Sequence, residues 1–216
     1  STGTSIVTVS GVTYVKAESG VTITATRSSG NTLTAGTSAG FTVTPAGVDH
    51  LTFSAQPANT VATATINGAS GVKVDVRDIF ENVVTTDTRS VTVAIGTNPS
   101  SGALSGTTTV AAVAGVATFS TLKIDKAGTG YTLTASSSPA LTTPTSSAFN
   151  ITVGAPSKLV VASVNGGANP VAGTAFAVVV QSQDAGGNLA NQTGNTNIAL
   201  TRGAGTGTLG GTLTGI

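Results

Sequence analysis

Asp75, Asp78 and Glu81 lie close together along the chain, and Asp78 recurs as Asp184 at an offset of 106 positions. Carboxylates so spaced could ligate calcium, a hard cation that takes about six to eight oxygen ligands. Three carboxylates undersupply such a site, and alternation along a strand sends Asp75 to one face while Asp78 begins a turn. The competing expectation is structural. Asp78 and Asp184 would accept hydrogen bonds from amides of their own turns, with Asn82 and Asn188 in left-handed or amide-bonding positions. On that expectation the chain needs no cofactor, and calcium is the one candidate ion.

The remaining chemical inventory is thin. His50 is the only histidine, so a catalytic triad or a transition-metal cluster would rest on a single imidazole. Beside Asp49 it reads as a solvated contact between neighbouring domains. Gly205-Thr206-Gly207-Thr208-Leu209-Gly210 matches G-x-G-x-x-G, but a dinucleotide site needs a parallel strand before it and a helix after it. Neither is predicted, and the stretch reads as a glycine-rich turn. The acids are scattered rather than paired across a cleft, as glycoside hydrolysis requires. The chain therefore reads as a protein that is not an enzyme.

Composition narrows the classes further. Cysteine is absent, which removes disulfides and thiolate chemistry together. Net charge is +1 with no cluster of Lys or Arg, so nucleic-acid binding is not expected. No apolar run approaches the roughly 20 residues of a membrane helix, so no membrane insertion is expected in this segment. Charged residues make up 8% of the chain, against roughly 25% in ordinary domains. Its polar faces must be Thr, Ser, Asn and Gly, and the near-zero net charge leaves little to keep copies apart. Asn150-Ile151-Thr152 and Asn191-Gln192-Thr193 are sequons, relevant only where a host glycosylates them.

The elements that must position these residues are strands. Val72-Lys73-Val74-Asp75-Val76-Arg77 puts valines on one face and charges on the other, the pattern of a strand with one wet side. The same period-two alternation predicts strands over Leu51 to Ala55, Val91 to Ile95, Val116 to Ile124, Tyr131 to Ala135 and Ala148 to Val153. Tyr14 and Tyr131 both read as strand residues. Thr22, Thr24 and Thr26, like Thr132 and Thr134, fall on the polar side of ordinary strands rather than forming a ligand-binding ladder. Turns are predicted at Asn67-Gly68, Asn98 to Gly102 and Ala127 to Gly130. No capped 3.6-residue stripe predicts a helix.

The chain also repeats itself. Phe41-Thr42-Val43-Thr44 recurs as Phe149-Asn150-Ile151-Thr152 at an offset of 108, and Gly102 to Thr107 recurs as Gly207 to Thr212 at an offset of 105. A period of this length is one domain per repeat. The reading is all-β: tandem immunoglobulin-like antiparallel sandwiches, one complete copy flanked by two half copies. Residues 1–45 are the C-terminal half of a repeat, 46–155 a complete repeat, and 156–216 the N-terminal half of a repeat. The first copy opens near Gly3-Thr4, aligned with Gly106-Thr107, and the last runs to Ile216. Short joints at Pro45 to Val48 and Gly154 to Ser157 predict a semi-rigid rod.

Val74-Asp75-Val76-Arg77-Asp78-Ile79-Phe80-Glu81-Asn82-Val83, Val91-Thr92-Val93, Gly115-Val116-Ala117-Thr118-Phe119 and Lys126 to Ala135 occur in that order. They resemble the bacterial immunoglobulin-like repeat of invasin- and intimin-type surface proteins. The turn that usually reads Asp-x-x-Gly-Asn-Pro in that family is Asp78 to Val83 in the full copy and Asp184 to Leu189 in the last. The resemblance implies a secreted or surface-exposed array.

The expected function is structural: an extracellular or cell-surface rod or filament, built by covalent repetition or by head-to-tail complementation between copies of the chain. Partners are then copies of itself or adjacent repeats. The alternative is an adhesin or glycan-binding module meeting a host-surface or glycan ligand, for which Phe80 is the one candidate exposed aromatic. Starting at Ser1 without a signal-type apolar segment, the sequence reads as a mature or excerpted chain.

Overall fold

Val, Ile and Thr at alternate positions build strands throughout the computed structural model, which describes residues 6–194 and 196–211. The first four strands are short: β1 (Glu18–Val21), β2 (Thr24–Ala25), β3 (Gly36–Thr37) and β4 (Phe41–Val43). Eleven follow: β5 (Val48–Ala55), β6 (Thr60–Val61), β7 (Val72–Asp78), β8 (Ser90–Ile95), β9 (Leu104–Ser105), β10 (Thr109–Ala111), β11 (Val116–Phe119), β12 (Lys123–Ile124), β13 (Gly128–Tyr131), β14 (Leu133–Ser138) and β15 (Phe149–Thr152). The last two are β16 (Lys158–Val164) and β17 (Val178–Gln183). Among the described residues the only helical pieces are two 3-10 turns, Gly68–Ser70 and Asn165–Gly167. The protein is all-β, as the alternation predicted.

The core lies in the middle of the chain. Antiparallel sheets β11-β7-β5 and β10-β8-β14 carry Val72, Val74 and Val76 on one side and Val91, Val93, Leu133 and Ala135 on the other, all in one buried cluster. A third sheet, β13-β15-β6, adds Tyr131, Phe149 and Ile151, and its β15-β6 pair is parallel. Burying side chains of this size stabilises by about 1.5–3 kcal/mol each. The cluster runs from Leu51 to Ile151 and thus falls within 46–155.

Four local expectations are corrected. The strand predicted over Val116 to Ile124 is two strands, because β11 pairs with β7 whereas β12 pairs with β9. Tyr131 to Ala135 also divides: β13 pairs with β15 and β14 with β8, and Thr132 is the crossing point. Gly128 to Gly130, predicted as turn, belongs to β13, with Gly130 at φ +86 beside the irregularity at Thr129/Tyr131. Tyr14 lies outside any strand, half-exposed, its hydroxyl donating to Glu18.

The charged face of β7 is not wet either. Asp75 is 5% exposed, since it accepts from the Ser54 hydroxyl and from Arg77 Nη2 at 2.9 Å, and Lys73 and Arg77 are half-buried. A strand flanked on both sides leaves its outer face to be roofed by neighbouring side chains. Charges stay there only when paired.

Strand register shows the repeat directly. In the central unit Leu51 faces Val76 and Phe53 faces Val74, with a shift between Phe53 and Ala55. In β16-β17, Leu159 faces Ser182 and Val161 faces Val180, with a shift between Val161 and Ser163. Likewise Tyr131 faces Phe149 as Val21 faces Phe41, each pair next to a bulge. Equal spacing of apolar and turn residues has produced equal pairing.

Candidate functional site

Asp78 ends β7 and is fully buried, where an unpartnered carboxylate would be untenable. Its turn closes on itself, Asp78 N–H donating to Asn82 O at 3.0 Å and Glu81 N–H to Asp78 O at 3.1 Å. Asp78 Oδ1 then accepts the amides of Phe80 and Asn82, both at 2.9 Å. Oδ2 accepts the Ala46 amide at 2.8 Å, so the same carboxylate grips the joint segment before β5. Asn82 Nδ2 donates to both carboxylate oxygens, at 3.2 and 3.0 Å.

Asn82 carries the contact onward. Its Nδ2 also donates to Val15 O at 2.8 Å, and its Oδ1 accepts the Ala17 amide at 2.8 Å. One side-chain amide thereby presents a donor and an acceptor to a backbone segment 65 to 67 positions earlier, the two-point match a backbone strand would offer. Three chain segments meet on one Asp–Asn pair.

The arrangement recurs at Asp184. Asp184 N–H donates to Asn188 O at 3.0 Å; Oδ1 accepts the Asn188 amide at 2.9 Å, and Oδ2 accepts the Gly154 amide at 2.8 Å. Asn188 Nδ2 donates to both oxygens of Asp184 at 3.0 Å. It also donates to Asp125 O at 2.8 Å, while Asn188 Oδ1 accepts the Ala127 amide at 2.9 Å. Every partner of the first joint has its counterpart: Ala46 and Gly154, Val15 and Asp125, Ala17 and Ala127.

Electrostatics follow from the donors. Burial pushes the Asp78 carboxyl up, but the Asn82 side chain and the amides of Ala46, Asn82 and Phe80 outweigh it and bring the pKa from 3.8 down to about 2. Burial raises Asp184 too, and the amide of Gly154, the side chain and amide of Asn188 and the amide of Gly186 lower it below its ordinary value. Both sites therefore hold an anion surrounded by N–H groups.

That chemistry redirects the calcium candidates. The lone pairs of Asp78 and Asp184 point at donors, Asp75 is committed to Ser54 and Arg77, and Glu81 reaches Arg77 at 3.4 Å and His50 at 3.3 Å. Among the described residues no three acidic or histidine side chains gather as a metal would need. Asn82 and Asn188 take amide-bonding positions, while the left-handed residues of the two turns are Glu81 at φ +68 and Gly187 at φ +79. His50 bonds Asp49 at 3.0 Å and Glu81, both within 46–155, rather than bridging neighbouring domains. Gly205 to Gly207 lie in bends and Thr208 to Gly210 in irregular backbone, with no strand immediately before the segment and no helix after it among the described residues.

Sequence reasoning singled out the aspartates and asparagines but missed Val15, Ala17, Asp125 and Ala127, whose contribution is backbone. The available signal was Lys16-Ala17 recurring as Lys126-Ala127 at an offset of 110. No protein-family model matches the sequence, and no curated protein matches it.

Proposed function

We propose that the chain is a non-enzymatic structural protein, a linear rod of tandem immunoglobulin-like sandwiches whose joints are stiffened by Asp–Asn locks, placed outside the cell or at its surface. The observation that carries this reading is the lock itself, present twice with the same partners at matching distances. A flexible tether would leave the joint amides to water. Here Ala46 and Gly154 are each tied to a buried carboxylate, and the neighbouring segment is tied to the adjoining asparagine. That fixes both the translation and the orientation of successive units.

Small-angle scattering tests it. The native chain should give a single extended distance distribution, and Asn82→Ala with Asn188→Ala should broaden it while the thermal transition of the central sandwich persists. A native distribution as broad as that of the double variant would overturn the rod. Adhesion or glycan binding is the second reading, favoured by Ile79 and Phe80, an exposed apolar pair on the first lock turn. Its test is loss of surface or glycan retention in Phe80→Ala.

A further inference from the structure

Among the described residues β17 has one hydrogen-bonded neighbour, β16, whereas its counterpart β7 has two, β5 and β11. The strand that would fill the vacant edge can be read from the repeat. The first lock fixes an offset of 110 for Val15, Ala17 and Val21 against Asp125, Ala127 and Tyr131, and the same offset carries Ile6-Val7-Thr8-Val9 onto β11, Val116 to Phe119. The alignment of Gly3-Thr4 with Gly106-Thr107 lies outside the described residues. In β11, Ala117 and Phe119 are fully buried; their counterparts Val7 and Val9 are 84% and 76% exposed.

The acceptor side is equally unfinished. A hollow of about 920 Å³ is lined by Val171, Phe176, Val178, Leu200 and Leu209. Val178, Leu200 and Leu209 correspond to Val72, Ile95 and Leu104, which pack in or against the core that holds Tyr131 and Phe149. A second, independent sign comes from glycines. A Cβ at Gly102 would sit 2.8 Å from the Tyr131 hydroxyl, and one at Gly106 would sit 2.2 Å from Thr121 O. Their counterparts Gly207 and Gly211 meet nothing within 4 Å. Gly211 has a positive φ of its own, +128, but at Gly207 glycine stands although no neighbour among the described residues requires it.

Resting on the rod reading, we propose that residues Ile6–Val9 of one copy add antiparallel to the free edge of β17 in a second copy, with Val21 and Phe41 of the adding copy entering the hollow. The central unit supplies the register. Val116 faces Asp75, Ala117 faces Val74, Thr118 faces Lys73 and Phe119 faces Val72. Across copies Ile6 faces Gln181, Val7 faces Val180, Thr8 faces Val179 and Val9 faces Val178. This is strand addition to a sheet edge, with alternate side chains seated in the core. Because the two surfaces lie on different parts of the chain, the contact is heterologous and propagates head to tail.

The absence of cysteine makes the register directly testable. Gly115 O accepts the Val76 amide, so Thr118 and Lys73 form a non-hydrogen-bonded pair, the closer kind, with Cβ atoms about 4.5–5.5 Å apart. The full chain carrying Thr8→Cys and Val179→Cys, mildly oxidised, should run as a ladder of intermolecular disulfide oligomers on a non-reducing gel. Thr8→Cys with a cysteine at exposed Val113 should give no such ladder. Uncrosslinked monomer, or a disulfide within one chain, would overturn the proposal. Adding Val9→Asp should abolish the ladder while the central sandwich keeps its thermal transition, and a ladder that survives it would also overturn the proposal. Scattering on the Val9→Asp chain, in which the edge contact is blocked, reads the locks and not this edge, so each idea fails separately.

Discussion

The two joints share one lock and differ in what surrounds it. At the second, Gly186-Gly187 occupies the turn: a Cβ at Gly186 would lie 2.1 Å from Asp125 O, and Lys126 Nζ donates to Gly186 O at 2.8 Å. At the first, Phe80-Glu81 stands in the same two positions, Phe80 half-exposed and Glu81 held left-handed, with Arg77 and His50 gathered on the Glu81 side chain. Lys16, the counterpart of Lys126, pairs instead with Glu18 at 2.7 Å. What the joints keep in common is the set of bonds to backbone; what they vary is side chains around it. Geometry at the two joints thus depends on the Asp–Asn pair, and the turn residues tune how closely the neighbouring segment approaches.

The largest effect is expected from removing an acceptor. Asp78→Ala strips the buried end of β7 of its anion and leaves the Ala46, Phe80 and Asn82 amides facing a void, so the thermal midpoint of the central sandwich should fall further than for any other single change here. Asp184→Ala should loosen the second joint but leave that midpoint closer to native, because Asp184 lies beyond the central core. Equal falls for both would break the distinction between the joints. Next comes Gly186→Ala, whose methyl must displace Asp125 O; overpacking of this kind costs about 1–3 kcal/mol. Phe80→Ala, at the matching position, should cost far less, as scattering and calorimetry of the pair will show.

Asn188→Ala is expected to free the Ala127 amide and the Asp125 carbonyl, with a cost of about 1–3 kcal/mol for groups left unsatisfied. Acid should reach both joints. Both folded carboxyls lie below the ordinary 3.8, Asp78 at about 2, so the stabilisation is present above about pH 4 and is lost as pH falls through the lowered folded values. Scattering at pH 5 and pH 1.5 checks it, and unchanged stiffness at pH 1.5, below the folded value of Asp78, would contradict the electrostatic account. Smallest is Glu81→Gly, which relieves a left-handed residue worth about 1–2 kcal/mol but gives up exposed contacts to Arg77 and His50 worth about 0–1 kcal/mol. A rise of under about 2 kcal/mol by denaturant unfolding is the expected result.

Much of the fold was legible because period-two alternation of Val and Thr maps directly onto faces, as β5, β7, β8 and β15 show. Where strands change sheets the alternation continues unbroken, so the breaks at Ser120 to Leu122 and at Thr132 left no mark in hydrophobicity. Gly128 to Gly130 misled because glycine signals a turn, while here it admits a bulged strand. At the site, Asp78, Asn82, Asp184 and Asn188 stood out through their recurrence. Their reach to Val15, Ala17, Asp125 and Ala127 was hidden, since a backbone amide or carbonyl belongs to any residue type. Burial of Asp75 was hidden for a related reason: Ser54 and Arg77 that roof it are ordinary surface residues in sequence.

Hydrogen exchange at single amides tests the lock most directly. In the native chain the amides of Ala17 and Ala127 should be protected along with those of Ala46 and Gly154. Asn82→Ala should release Ala17 alone of the first two, and Asn188→Ala should release Ala127 alone. Exchange of Ala17 and Ala127 in the native chain at the rate of an unstructured peptide would contradict the account.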